Sequence, residues 1–238
     1  MTGLSYKMVH IIDNSNDTER SAELSLKAIK NVLIEKPEFL NVEQAISLKK
    51  IAEESGVILQ LGTGYKFCPV YCNLLKELPK NVKIINVRQL LTEKSSLKME
   101  LFYVIDFVTS ILNVNTGKFE VKSWKNEENI SDLLHCSLDC DNSSIINITT
   151  CRTVKSEPKF EIDFVSPQMH ITADIFKSTI KKHYHPLNVD INIILESYCE
   201  KTVSDCYLQI FNRAVDNDLE AVRIIEKQFQ NMITGFKI

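Results

Sequence analysis

The feature that most constrains this chain is a strand–helix rhythm running from Tyr6 to Leu78. Tyr6 to Ile12 reads as a strand, Asp17 to Lys30 as a helix and Asn31 to Glu35 as a second strand. Val42 to Ser55 is a helix, Val57 to Gly62 a third strand, and a further helix covers Pro69 to Leu78. Largely apolar strands separated by single helices form parallel βαβ units, because a parallel pair needs a crossover and the crossover helices cover the sheet. The second of these helices carries its own punctuation. Asn41 stands as N-cap with Gln44 three positions on, and Gly56 follows the last turn, a capping box at one end and a left-handed C′ residue at the other.

After Pro79 the rhythm changes. Val82 to Leu91 is predicted as a strand and Leu97 to Leu112 as a helix. Extended segments then follow at Lys118 to Lys125, Ser131 to Leu138, Ser143 to Cys151, Phe160 to Val165 and Gln168 to Ala173. Ile146, Ile148 and Thr150 alternate with Asn147, Thr149 and Cys151, as an antiparallel sheet with one buried face requires. Two helices, about Asp190 to Asn217 and Asp218 to Thr234, are expected to close the chain. The fold class is therefore α/β plus α+β. A partial Rossmann-like parallel sheet over residues 1–79, without its first strands and glycine loop, precedes an open, mainly antiparallel sheet with flanking helices over residues 80–238.

Composition narrows the partners. Lys and Arg number 28 against 31 Asp and Glu, and no basic block occurs, so the electrostatic footprint of a nucleic-acid or polybasic membrane contact is missing. No apolar run is long enough to span a bilayer. The seven cysteines are odd in number and lack CxxC spacing, which reads as reduced thiols. The start of the chain lacks a signal-peptide pattern. A cytoplasmic protein is the expectation.

Asn31-Val32-Leu33-Ile34-Glu35-Lys36-Pro37 resembles the strand ending in Glu-Lys-Pro of the glucose-fructose oxidoreductase / inositol dehydrogenase (Gfo/Idh/MocA) family. The capped helix, the strand Gly56 to Gly62 and the turn Gly64-Tyr65-Lys66-Phe67-Cys68-Pro69 look like that family's next helix, strand and glycine-aromatic-x-Arg-Phe-x-Pro turn. Leu101 to Leu112, with Ile105-Asp106, is similar to its catalytic helix, and Met232-Ile233-Thr234-Gly235 to its C-terminus.

The resemblance implies NAD or NADP as cofactor, a sugar-like substrate and an oligomer formed through the open sheet. It also implies hydride transfer to or from nicotinamide, with a proton moved by a His and the reacting oxygen oriented by the Glu-Lys-Pro lysine. Carried over by position, it implies Lys36 and Tyr103 as catalytic residues. The cofactor-binding residues would be Asp13, Asn14, Glu35, Lys36 and Pro37, and the substrate-binding residues Tyr65, Lys66, Phe67 and Asp106.

Two departures separate the chain from the pattern. There is no GxGxxG, the turn whose backbone admits the pyrophosphate; the chain starts at what looks like the family's fourth strand. The family's Asp-x-x-x-His-x-x-Asp falls on Met99, Tyr103 and Asp106, and a tyrosine's unperturbed pKa, about 10, is far from neutrality. Asp106 itself reads as a structural hydrogen-bonding partner.

No metal site is expected. His183-Tyr184-His185 reads as an exposed loop, and Cys136 and Cys140 on one strand would stand about 13 Å apart. Cys68 and Cys72, one helical turn apart, read as inert thiols, and Trp124 as sheet-face packing or interface. The expectation is an oxidoreductase-family protein that lacks autonomous dehydrogenase activity and acts as a binding or assembly subunit. It would be a homo-oligomer through the C-terminal sheet, with a separate chain as a candidate cover for the incomplete N-terminal sheet. The alternatives are an active NAD(P)-dependent oxidoreductase and a truncated product without selected function.

Overall fold

The computed structural model describes residues 8–12, 17–35, 40–61, 64–92, 97–125, 131–152, 157–185 and 189–194. The described residues divide into two compact units, one ending at Gly64 and one beginning at Tyr65.

In the first unit β1 (Met8–Ile11), α1 (Thr18–Lys27), β2 (Asn31–Ile34), α2 (Val42–Ser55) and β3 (Leu59–Leu61) alternate as expected. The strands form a parallel sheet in the order β1-β2-β3. Val32, Ile34, Leu59 and Leu61 pack with Ala22 and Leu26 of α1 and Ala45, Leu48 and Ala52 of α2 in one buried cluster.

The ends of α2 are those its sequence encodes. Asn41 Oδ1 accepts from the Gln44 backbone N–H at 2.8 Å and Gln44 Oε1 from that of Asn41 at 2.9 Å, and Gly56 takes φ +63°. The end of α1 is less favourable. Ile29 sits at φ 57°, a left-handed conformation that costs a β-branched L residue roughly 1–2 kcal/mol, and its side chain is exposed. Ile29→Gly loses no packing there and should raise the free energy of unfolding by about 1 kcal/mol, read from urea denaturation.

The second unit begins with a single 3₁₀ turn, Gly64–Phe67, and α3 (Pro69–Glu77), whose N-cap Cys68 accepts from the Tyr71 backbone N–H. Next come β4 (Ile84–Leu91), α4 (Leu97–Leu112), β5 (Thr116–Lys125), β6 (Ser131–Cys140) and β7 (Ile145–Arg152). The described chain ends with β8 (Lys159–Val165), β9 (Met169–Asp174), β10 (Thr179–Tyr184) and β11 (Val189–Ile194). All eight strands form one sheet in the order β11-β10-β9-β8-β4-β7-β6-β5. Every pair is antiparallel except β4 with β7.

The alternation at Ile146, Ile148 and Thr150 is observed, all three being fully buried. The opposite face is polar: Ser137 Oγ donates to Asn147 Oδ1 at 3.0 Å and Asn147 Nδ2 to Asn86 Oδ1 at 3.1 Å. Helix α4 is buried from Leu101 to Thr109 and lies against β6 and β7.

Two expectations need correction. His183 belongs to strand β10, not a loop, because its register with β9 and β11 places it opposite His170 and Asp190. The first residues of the helix expected from Asp190 form strand β11 instead, since they complete the sheet edge against β10. The rest of that helix and the one after it lie outside the described residues. The division between units falls after Gly64, whereas the sequence places it at 79/80; the turn and α3 contact α4, with Tyr71 and Phe107 stacked edge to face at 5.0 Å. Among the described residues no helix is long and apolar enough to cross a membrane, and no group of His, Cys, Asp or Glu could hold a metal ion.

Candidate functional site

In the second unit the 3₁₀ turn, α4 and the inner face of the sheet bring together most of the residues that the resemblance marks as substrate-binding. Lys66 Nζ stands 2.5 Å from Asp106 Oδ1, and both side chains are fully buried. The two charges neutralise each other inside the unit, so the pair anchors the turn to α4. Asp106 Oδ2 accepts no hydrogen bond from the described residues.

Next to that pair, Tyr65 turns its ring toward Tyr103, Phe160 and Phe176, with centroids at 6.0, 5.2 and 6.4 Å. Tyr103, only 8% exposed, also packs edge-on against Phe102.

A chain of polar groups ends at the same place. Thr150 Oγ1 donates to Gln89 Oε1 at 3.3 Å, Gln89 Nε2 donates to Glu100 Oε2 at 2.7 Å, and Tyr65 Oη donates to that same oxygen at 3.4 Å. Burial, helped by the adjacent Glu100 carboxyl, raises the Tyr65 phenol well above its ordinary range. Desolvation likewise raises Glu100, against the lowering effect of the hydrogen bonds from Gln89 and Tyr65. A phenol moved further from neutrality holds its proton at physiological pH, so Tyr65 acts here as a donor.

Glu100, Gln89 and Thr150 join this cluster although the sequence reading does not mark them. The available signal is two polar side chains, Gln89 and Thr150, on otherwise apolar inward stripes of β4 and β7; only the register that pairs them turns them into a site.

Of the residues marked for the cofactor, Glu35 is described. It closes β2, its backbone N–H donates to Ile11 O at 3.0 Å, and its Oε2 lies 3.0 Å from His10 Nε2. Asp13, Asn14, Lys36 and Pro37 lie outside the described residues, as do the side chains of Phe67 and Met99.

The carboxyl ends of parallel strands are where α/β sheets bind ligands. His10 and Glu35 offer one solvent-exposed pair there, and the β1–α1 and β2–α2 connections contain no glycine. A pyrophosphate needs a close backbone approach that a Cβ obstructs.

Fold and residues together define a Rossmann-like βαβαβ unit and an open-sheet unit of the dehydrogenase type. Residues 6–63 match the model of the Gfo/Idh/MocA family, described as an oxidoreductase family with an NAD-binding Rossmann fold. That segment is of this family, and the resemblance read from Glu35-Lys36-Pro37 holds for it. No curated protein matches the chain.

Among solved structures, UDP-N-acetylglucosamine 3-dehydrogenase GnnA from Acidithiobacillus ferrooxidans is similar in fold, with a TM-score of 0.80 at 14% identity over 93% of this chain and 77% of that one. An oxidoreductase from Agrobacterium radiobacter in complex with NAD+, L-tartaric acid and magnesium has a TM-score of 0.75 at 12% identity over 93% and 76%. The super-repressor mutant of Gal80p from Saccharomyces cerevisiae has a TM-score of 0.74 at 13% identity over 96% and 78%.

Proposed function

We propose that this chain is a cytoplasmic binding or assembly subunit built on the NAD-binding oxidoreductase fold, holding a sugar-like ligand in its open-sheet unit without transferring hydride itself. The observation that carries the reading is the state of α4. The position aligned with the family's acid–base histidine is Tyr103, enclosed by aromatic rings, and the adjoining Lys66 and Asp106 are committed to each other in the interior. A proton carrier must reach its substrate within hydrogen-bond distance, a requirement that a tyrosine enclosed by neighbouring rings does not meet. The fold similarity to Gal80p, whose super-repressor mutant has been solved, is compatible with a binding role. The polar outer face of the sheet is the surface for a second copy, and the edge of the first unit's short sheet that for a separate covering chain.

The second reading, an active NAD(P)-dependent oxidoreductase on a sugar-like substrate, is favoured by the match of residues 6–63 to an NAD-binding model. Titration of the purified chain with NADH and NADPH, followed by Trp124 fluorescence and thermal shift, separates the two. The expected result is no saturable binding at micromolar cofactor. Saturable binding, with turnover that Lys36→Ala abolishes, would put the enzyme reading in its place.

A further inference from the structure

We propose that Glu100, with Tyr65 hydrogen-bonded to it, is an ammonium-reading site: the open-sheet unit takes a hydroxylated ring ligand that carries a protonated amine. The inference rests on the sugar-like ligand proposed above and adds the group that selects among such ligands.

Two of the three donors in the polar chain converge on one oxygen of Glu100. Gln89 Nε2 and Tyr65 Oη both donate to Oε2, and Gln89 is itself held by Thr150. Oε1 receives no hydrogen bond from the described residues, and Glu100 is only part-buried, which makes Oε1 the oxygen available to a ligand. No described cation pairs with Glu100, and the nearby lysine of the turn, Lys66, is already paired with Asp106. The carboxylate is therefore oriented, half-desolvated and uncompensated.

Beside it lies the Tyr65 ring, and next to that ring the 45% exposed Phe176, a shelf of two aromatics. An apolar ring face stacks on such a shelf, and a cation over it gains further from the ring quadrupoles. A neutral hydroxyl would engage Oε1 through an ordinary hydrogen bond. An ammonium makes a charge-assisted one and neutralises the site, so the arrangement favours an amine over a hydroxyl at that position.

Glucosamine, glucose and N-acetylglucosamine share one ring and differ at one substituent, which is an ammonium, a hydroxyl and a neutral amide respectively. Isothermal titration of the full chain with each, near neutral pH and low salt, should find glucosamine bound at least about tenfold more tightly than the other two. Glu100→Gln should weaken glucosamine roughly 10- to 100-fold and leave glucose nearly unchanged. This substitution is compatible with the fold, because the glutamine carbonyl oxygen can keep both protein donors while its amide takes the place of Oε1; thermal unfolding checks it. Phe176→Ala, at an exposed turn, should weaken all three sugars alike.

Equal binding of the three sugars, untouched by Glu100→Gln, would overturn the role of Glu100 and leave the sugar site standing. No binding of any of them would overturn both.

Discussion

Asp106→Leu is expected to lower the free energy of unfolding by about 3–5 kcal/mol, the largest effect of any single charge change in the described residues. The substitution leaves the Lys66 ammonium fully buried without its partner at 2.5 Å. A lone charge in an apolar interior has no cheap outcome: it must lose its proton, draw in water or open the turn. Lys66→Met should cost a similar amount for the mirrored reason. The double substitution Lys66→Met with Asp106→Leu should recover most of the loss, because a buried pair is often matched by apolar residues of similar volume. Asp106 Oδ2 strengthens that expectation, since it has no hydrogen-bond donor among the described residues. Urea denaturation of the four proteins closes a double-mutant cycle. A double variant no more stable than either single one would mean that the two charges are not coupled.

Phe160→Ala should follow closely, at about 3–5 kcal/mol. Phe160 projects from β8 into the interior with no exposed surface, and its ring meets those of Tyr65, Phe107 and Phe176 at 5.2, 5.8 and 6.2 Å. It is the shared neighbour of the ligand shelf and the helix core, so truncation removes transfer energy, leaves a cavity and releases Tyr65 from its packed orientation. The same change at Phe176, nearly half exposed, should cost no more than about 1 kcal/mol. Denaturation gives the energies, and near-ultraviolet circular dichroism reports whether Tyr65 has loosened. An unchanged aromatic signal alongside a large loss of stability would show that the shelf is held by Glu100 and Tyr103 alone.

How legible each part of the molecule is depends on how local its determinants are. Helix α2 could be delimited from sequence because both of its ends are set within the segment, by Asn41 with Gln44 and by Gly56. Strands β6 to β9 were readable because their alternation follows from a single buried face. Strand β10 breaks that pattern: Lys182 points inward beside Ile180 and is buried only because its Nζ reaches Glu77, 2.7 Å away and 105 residues earlier. An inward lysine reads as polar surface until its distant partner is known, which is why His183 read as loop.

The candidate site divides in the same way. Tyr65, Lys66, Tyr103 and Asp106 are marked by position in the sequence and lie near one another in the structure, but the relation between Lys66 and Asp106 as a closed pair was not legible. Glu100 acquires its role only from the register that sets Gln89 beside Thr150.

The strand order has a consequence for how the sheet holds together. Strands β5-β6-β7 and β8-β9-β10-β11 are two antiparallel ribbons, each closed by connections between neighbours in sequence, and β4 lies between them. Those ribbons need only short loops to close. The pairing of β4 with β7 spans α4 and two further strands, so its closure carries the larger entropy cost. No strand of one ribbon touches the other except through β4. Ile84 to Leu91 is thus the seam of the unit, synthesised before both ribbons yet unable to complete its hydrogen bonding until both exist. The polar chain that orients Glu100 starts from this seam, at Gln89, so the ligand site can take shape only after the two halves of the sheet have been joined.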